Sequence, residues 1–156
     1  MMELFLVTVG CFIAVTGFAV LVETPKKYIL QAAVAGAGGG WVYFFSIQRG
    51  MDVVAASFLS ALVISLLAHT FARIFKAPVT VFLIAGILPT VPGAGMYRTV
   101  YYIITDNGVQ SSYYLMQTLE IAGVIALAIF IVDSLFRIRL RKYRKPAGES
   151  AGEGQR

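Results

Sequence analysis

Arg98 and the tyrosines Tyr97, Tyr101 and Tyr102 follow directly on Pro89-Thr90-Val91-Pro92-Gly93-Ala94-Gly95, inside an otherwise apolar stretch covering residues 79–105. A guanidinium can grip a carboxylate with two parallel hydrogen bonds, and phenol hydroxyls can bond a neutral substrate group. Pro89 and Pro92 remove backbone donors and disfavour a continuous helix. A new helix starting at Gly93 presents free N–H groups and the positive end of its dipole, which also favour a carboxylate. Gly95, Arg98, Tyr101 and Tyr102 then share one face of that helix. This is chemistry for a small anion or zwitterion. The alternative for Arg98 is that it snorkels to the interface and pairs with Asp106 or Glu120.

His69, the single histidine, lies on a small and polar stripe with Ser57, Ser60, Ala61, Ser65 and Ala68 at helical spacing. Leu59, Leu62, Val63 and Leu66 occupy the opposite side, so the stripe is expected to face protein rather than lipid. Within it His69 is a candidate proton relay; the plainer alternative is an imidazole near the cytoplasmic interface. Glu120 is the second candidate for coupling to an ion gradient, because it lies deep in the last apolar stretch and needs a partner there. Asp133 reads as an interfacial residue held by Arg137 four positions on. Glu120 and Asp133 stand roughly 220° around and about 20 Å along a helix from each other, too far for one paired-carboxylate site.

Other chemistry is excluded. One cysteine, Cys11, cannot form an internal disulfide or by itself hold zinc. With one histidine there is no two-histidine metal motif, and neither metal nor cofactor is expected. Gly36-Ala37-Gly38-Gly39-Gly40-Trp41 lacks the Gly-Lys-Ser/Thr ending of a phosphate-binding loop. Ser65 and His69 on one helix lack an oxyanion donor, so no enzyme is indicated.

The elements that hold these residues must suit an apolar solvent. The chain is 58% hydrophobic and 13% charged, which places it among integral membrane proteins. Residues 4–22, 28–48, 53–72 and 113–135 are each long enough to cross a hydrocarbon core of roughly 30 Å, which takes about 20 helical residues. Residues 79–105 form the fourth span in chain order, broken at Pro89–Gly93 into two half-helices. Backbone groups freed there cannot face lipid and belong against protein or a water-filled cavity. Many secondary transporters build substrate sites from such discontinuous helices. The expected fold is an all-α integral membrane domain of five transmembrane helices over residues 1–136. A basic, disordered cytoplasmic tail over residues 137–156 follows it.

Basic residues orient the spans. Lys26 and Lys27 lie between the first two spans, Arg73 and Lys76 between the third and fourth, and Arg137, Arg139, Arg141, Lys142, Arg144 and Lys145 after the fifth. The second loop offers Arg49 beside Asp52, and residues 106–112 hold no Lys or Arg. Five spans with the N-terminus outside put all three basic clusters in the cytoplasm. Met1-Met2-Glu3 is no basic n-region, so a retained first helix is expected rather than a cleaved signal. The net charge of +5 at pH 7 is carried by the tail. It suits anionic lipid headgroups, and no nucleic acid is required.

Small residues repeat at a spacing of four: Gly10, Ala14 and Gly17 in the first span, and Ala32, Gly36 and Gly40 in the second. Such faces let membrane helices approach until backbones touch. They are expected to serve packing and the docking of a partner subunit, with a hinge at the glycine run as the alternative.

The run Ile87-Leu88-Pro89-Thr90-Val91-Pro92-Gly93-Ala94-Gly95-Met96-Tyr97, preceded by Pro78-Val79-Thr80-Val81, resembles the ThrE-type threonine/serine exporter family. It is most similar to that family's small membrane subunit, equivalent to the C-terminal half of fused exporters. The resemblance covers nearly the whole chain: five spans, a glycine-rich second span and the Pro-x-x-Pro-Gly break in the fourth. It implies gradient-driven export of small hydroxy amino acids, or of a dicarboxylate such as succinate in related two-subunit systems. It also implies a larger membrane partner of the same type, in the bacterial inner membrane. Both substrate classes carry a carboxylate. Family binding residues map onto the break alone, so Arg98, Tyr97, Tyr101 and Tyr102 stand as features of this chain. A non-catalytic membrane scaffold remains the alternative function, and a channel or intramembrane enzyme a third.

The charge pattern makes one topological prediction. Reporter fusions at Asn107 and Arg144 should report opposite sides of the membrane, the second cytoplasmic. Both on one side would remove the five-span arrangement.

Overall fold

The structure is a computed structural model and describes residues 2–143, with side chains to residue 138. Every regular element is helical: α1 (Met2–Leu21), α2 (Lys26–Gln48), α3 (Val53–Phe75), α4 (Val79–Gly86), a 3₁₀ turn (Leu88–Thr90), α5 (Gly93–Ile104) and α6 (Gly108–Tyr143). Local chemistry sets the boundaries. Pro25 and Pro78 immediately precede α2 and α4, where a missing N–H costs nothing. Asp52 caps α3 by accepting the Val54 N–H at 3.0 Å. Lys76 ends α3 in the left-handed conformation, φ 50°, and Asn107 Oδ1 accepts the Gln110 N–H at the start of α6. α6 runs past residue 137, where the tail was expected to begin. The expectation of disorder over residues 146–156 lies outside the described residues.

α2 is the central helix, packed by α1, α3 and α4 together. Its glycines are where neighbours come close. A Cβ at Gly36 would stand 2.5 Å from Val15 Cγ2 of α1 and 3.0 Å from the Gly86 carbonyl of α4. A Cβ at Gly40 would meet Cys11 Sγ at 2.5 Å, and one at Gly39 would overlap Ile64 of α3. Beside that contact Ser60 Oγ donates to the Gly39 carbonyl at 2.7 Å, a buried bond between helices. Gly36 and Gly40, the expected partner face, are thus used inside the chain. Gly10 and Gly17 of α1 have no atom within 4 Å of a built Cβ. At one end of the bundle Tyr28, Phe71, Phe75 and Phe82 close the space among α2, α3 and α4 with edge and tilted ring contacts.

α1, α3 and residues 108–138 of α6 are long and apolar enough to cross a membrane, and the bent pair α4/α5 makes a fourth crossing if counted as one span. The molecule is therefore a helical membrane bundle, with Phe5, Leu6, Ile13, Ile103, Val109 and Phe130 among its outward apolar side chains. α2 falls short by composition, because its middle is glycine and alanine and its first turn holds two lysines. A helix covered by three neighbours has little lipid to face and needs no strongly apolar surface.

The tight approach at Gly39 predicts that Gly39→Val forces Ile64 out of a fully buried position. Thermal unfolding in detergent should show a loss of about 1–3 kcal/mol, the usual cost of overpacking. Gly10→Ala, built into open space, should leave the midpoint unchanged.

Candidate functional site

The site is built where α4 ends. The Ile87 N–H still bonds the Leu83 carbonyl at 3.0 Å, and Thr90 and Val91 bond three residues back, to Ile87 and Leu88. Val91 is then extended (φ −62°, ψ 128°), and the Gly93 N–H closes a tight turn onto the Val91 carbonyl at 2.8 Å. Pro92 supplies the first α5 acceptor, to Met96 N–H at 3.1 Å. The helices on either side meet at a 51° bend. Across this turn the Ala94 and Gly95 N–H groups find no acceptor among the described residues, leaving two donors at the positive end of α5. Thr90 is buried, but its hydroxyl is used by the Ile87 carbonyl at 2.7 Å.

At roughly 1.5 Å per residue for α4 and 2 Å for the 3₁₀ turn, the break stands about 18 Å from the start of α4. Beside it, Leu88 and Pro89 line a groove of 280 Å³ with Val7, Gly10, Cys11 and Ala14 of α1. The break and the open small-residue face of α1 thus meet in one recess.

α5 packs on α6 and on little else. Gly95 allows the contact, since a Cβ there would come within 2.5 Å of Thr118 Oγ1. Thr99 is the one buried residue of α5; its carbonyl accepts from Ser111 Oγ at 3.3 Å. Tyr102 stacks on Tyr114 with ring centroids 5.5 Å apart, and the Arg98 guanidinium lies over the same Tyr114 ring at 5.3 Å. Gly95 and Tyr102 therefore serve the α5–α6 seam. Tyr97 and Tyr101 stack on each other and stay exposed. Arg98 is exposed and has no carboxylate within 4 Å among the described residues, and Glu120 is exposed and equally unpaired. The structure brings neither Asp106 nor Glu120 to Arg98 as an ion pair.

Ser57, Ser60, Ala61, Ser65, Ala68 and His69 of α3 are all buried, and His69 meets a residue the sequence did not assign to it. Its Nδ1 is 2.9 Å from the Ser65 carbonyl and its Nε2 is 3.4 Å from Asp133 Oδ1 of α6. The other Asp133 oxygen accepts from Arg137 Nε at 2.7 Å. The Asp133–Arg137 pair was readable from its spacing. The His69 contact spans 64 positions, and no local pattern announces it. Among the described residues no group of His, Cys, Asp and Glu could hold a metal ion.

The family model described as "Threonine/Serine exporter, ThrE" matches residues 7–135. A curated protein of Corynebacterium glutamicum named "Threonine/serine exporter" is 27% identical over 117 residues. That alignment covers 75% of this chain and 23% of the relative's length. No solved structure matches.

Gly93 and Gly95 should separate under substitution. Gly93 has no atom within 4 Å of a built Cβ, so Gly93→Leu should fold to wild-type levels. Gly95→Leu must push α5 off Thr118 and should lower the unfolding midpoint, by about 1–3 kcal/mol. Equal stability of the two variants would show that the seam does not depend on Gly95.

Proposed function

The chain belongs to the threonine/serine exporter family, and on that premise we propose that it is the small membrane subunit of a gradient-driven exporter. Its substrates are small carboxylate-bearing metabolites of the threonine or serine kind, and it works with a larger subunit of the same family in the bacterial inner membrane. The observation that carries this reading is the broken α4/α5 pair with its free Ala94 and Gly95 N–H groups. If α4 and α5 cross once, the break, about 18 Å from the start of α4, would lie near the middle of a core of roughly 30 Å. Two convergent donors and a helix dipole suit a carboxylate, in the manner of transporters built on discontinuous helices.

Five spans follow if α4 and α5 together cross once and α2, 23 residues long and roughly 34 Å at 1.5 Å per residue, crosses as well. The loop before α2 lines a recess with the start of α4, and Arg73 reaches α6 through the Phe136 carbonyl. Lys26, Lys27, Arg73, Lys76 and Arg137 thus gather at one end, which supports a cytoplasmic face there that also attracts anionic headgroups. The partner is supported by three facts. The chain spans about a quarter of the length of the relative it matches, and among the described residues the face of α1 with Gly10 and Gly17 is open and Arg98 and Glu120 lack ion-pair partners. Charges at membrane depth need water or protein beside them.

One observation favours a dicarboxylate as the second reading. Arg98 lies one turn beyond the free amides with no carboxylate within 4 Å among the described residues, and a second carboxylate on the substrate would meet it.

The test is efflux of labelled serine, threonine and succinate from vesicles holding this chain with and without its larger partner. Export should require both chains. Gly93→Leu should cut export per folded protein about tenfold or more, because a side chain crowds the two donors; Arg98→Ala should cut it without loss of assembly. Robust export by this chain alone would replace the two-subunit reading with a homo-oligomer. Unchanged export by Gly93→Leu would make the break purely structural.

A further inference from the structure

His69 faces two acceptors. The Ser65 carbonyl can only accept, so the Nδ1 that contacts it at 2.9 Å carries a proton. In the neutral ring this leaves Nε2 as a bare lone pair, and Nε2 points at the Asp133 carboxylate, 3.4 Å away. That is longer than the usual N–H···O bond. One further proton, on Nε2 or on Asp133, turns two facing acceptors into a donor and an acceptor. The site is enclosed: the His69 side chain is 6% exposed, and its ring lies 4.8 Å from that of Phe136. A turn below it, Ser65 Oγ is buried with no hydrogen-bond partner. Such a group is unusual in a folded interior and offers a foothold for a water.

The charged groups around the site come from both elements that form it. From α6, Asp133 and Arg137 face it. From α3, Arg73 lies over the Phe136 ring at 4.5 Å and donates to the Phe136 carbonyl; Lys76 is exposed at the end of the helix. On the other side of α3, α2 contributes Tyr28 to the cluster around Ala68 and Ala72, and α4 contributes no ionisable residue. Arg137 holds one carboxylate oxygen of Asp133 and leaves the other for His69.

We propose that His69 and Asp133 are a proton-binding site, and that its occupancy is the coupling event of export. This rests on the exporter reading. α6 packs on the rest of the bundle through α3, and it alone carries α5. A proton shared between Nε2 and Oδ1 draws α3 and α6 together at that seam; its departure leaves a lone pair against a carboxylate and loosens it. The half-helix that offers Ala94 and Gly95 moves with α6. Proton occupancy thus sets the position of the substrate donors.

His69 is the only histidine of this chain, so when this subunit alone carries ¹⁵N-histidine and is assembled with an unlabelled partner in lipid nanodiscs, its imidazole nitrogens can be observed by NMR without assignment. As the pH is lowered, Nδ1 should stay protonated and Nε2 should change from bare to protonated. A proton on Nε2 with a bare Nδ1 at the higher pH, or no change as the pH falls, overturns the site. In vesicles holding both subunits, an imposed pH gradient should accelerate efflux in the wild type and not in His69→Gln or Asp133→Asn. If either variant assembles and keeps more than half of the acceleration, the coupling role is wrong. Counterflow of labelled substrate by the wild type without any gradient tests the exporter reading separately. Its absence, with the Nε2 change intact, would remove the exporter and with it the coupling role, and leave the proton site.

Discussion

Backbone approach at Gly36, Gly39 and Gly40 of α2 is the constraint from which the rest of the bundle takes its spacing. Three neighbours use three sides of the same short run: α1 through Val15 and Cys11, α3 through Ile64 and Ser60, and α4 through the Gly86 carbonyl. Lipid tails are as apolar as leucine, so burying leucine gives membrane helices no reason to associate. Close van der Waals contact does, and so does the Ser60–Gly39 bond, the one side-chain hydrogen bond from α3 to α2. Gly86 is seated in this groove as the last residue of α4. The α2 glycines therefore set how closely the end of α4 seats on the bundle, just before Pro89 turns the chain.

Beyond the break the packing changes character. α5 buries a single residue, and α6 is covered along one stripe through Ser111, Ile121, Ala128 and Val132. The two form an arm joined to the bundle by α3. Exposed Ile103, Ile104, Leu119 and Phe130 suit lipid, but Arg98 and Glu120 on the same arm do not. A surface that mixes lipid-compatible side chains with two unpaired charges is one that water or a second protein must reach. The open α1 face at Gly10 and Gly17 adjoins the same recess through Pro89, so the uncovered surfaces are contiguous with the break.

Helix positions were legible because apolar runs are local features, although α6 extends beyond both ends of the expected 113–135 span. The turn at Pro89–Gly93 was legible for the same reason, since two prolines three apart remove donors whatever surrounds them. The role of the small residues was only half legible. Spacing of four identifies a face that permits close approach, but it does not say which neighbour takes it. α1, α3 and α4 take the Gly36–Gly40 face, and Gly10 and Gly17 are left open. Likewise helical spacing placed Gly95, Arg98, Tyr101 and Tyr102 on one face of α5. Yet α6 claims Gly95 and Tyr102 while Tyr101 turns outward, because Thr118 and Tyr114 sit on another helix. The Asp133–His69 contact was wholly illegible, being a product of how α6 lies on α3.

The two polar features of the arm stand at opposite ends of one stiff helix. Thr118 packs against Gly95 near the break, and Asp133 faces His69 fifteen positions on, about 22 Å along α6 at 1.5 Å per residue. Gly123 lies between them with open space around it, and no proline interrupts the helix. A body of that length transmits a small change of seating at one end as a displacement at the other, provided the seam it pivots on has two stable packings. On the proposed proton site, the His69–Asp133 seam would have two, one with a shared proton and one without. Thermodynamic linkage then makes the relation reciprocal. If proton occupancy biases where Ala94 and Gly95 stand, a carboxylate bound to those amides biases proton occupancy by the same factor. Exchange of a proton for a carboxylate substrate needs that reciprocity. Here it would run through α6 alone, with no requirement that substrate and proton ever touch.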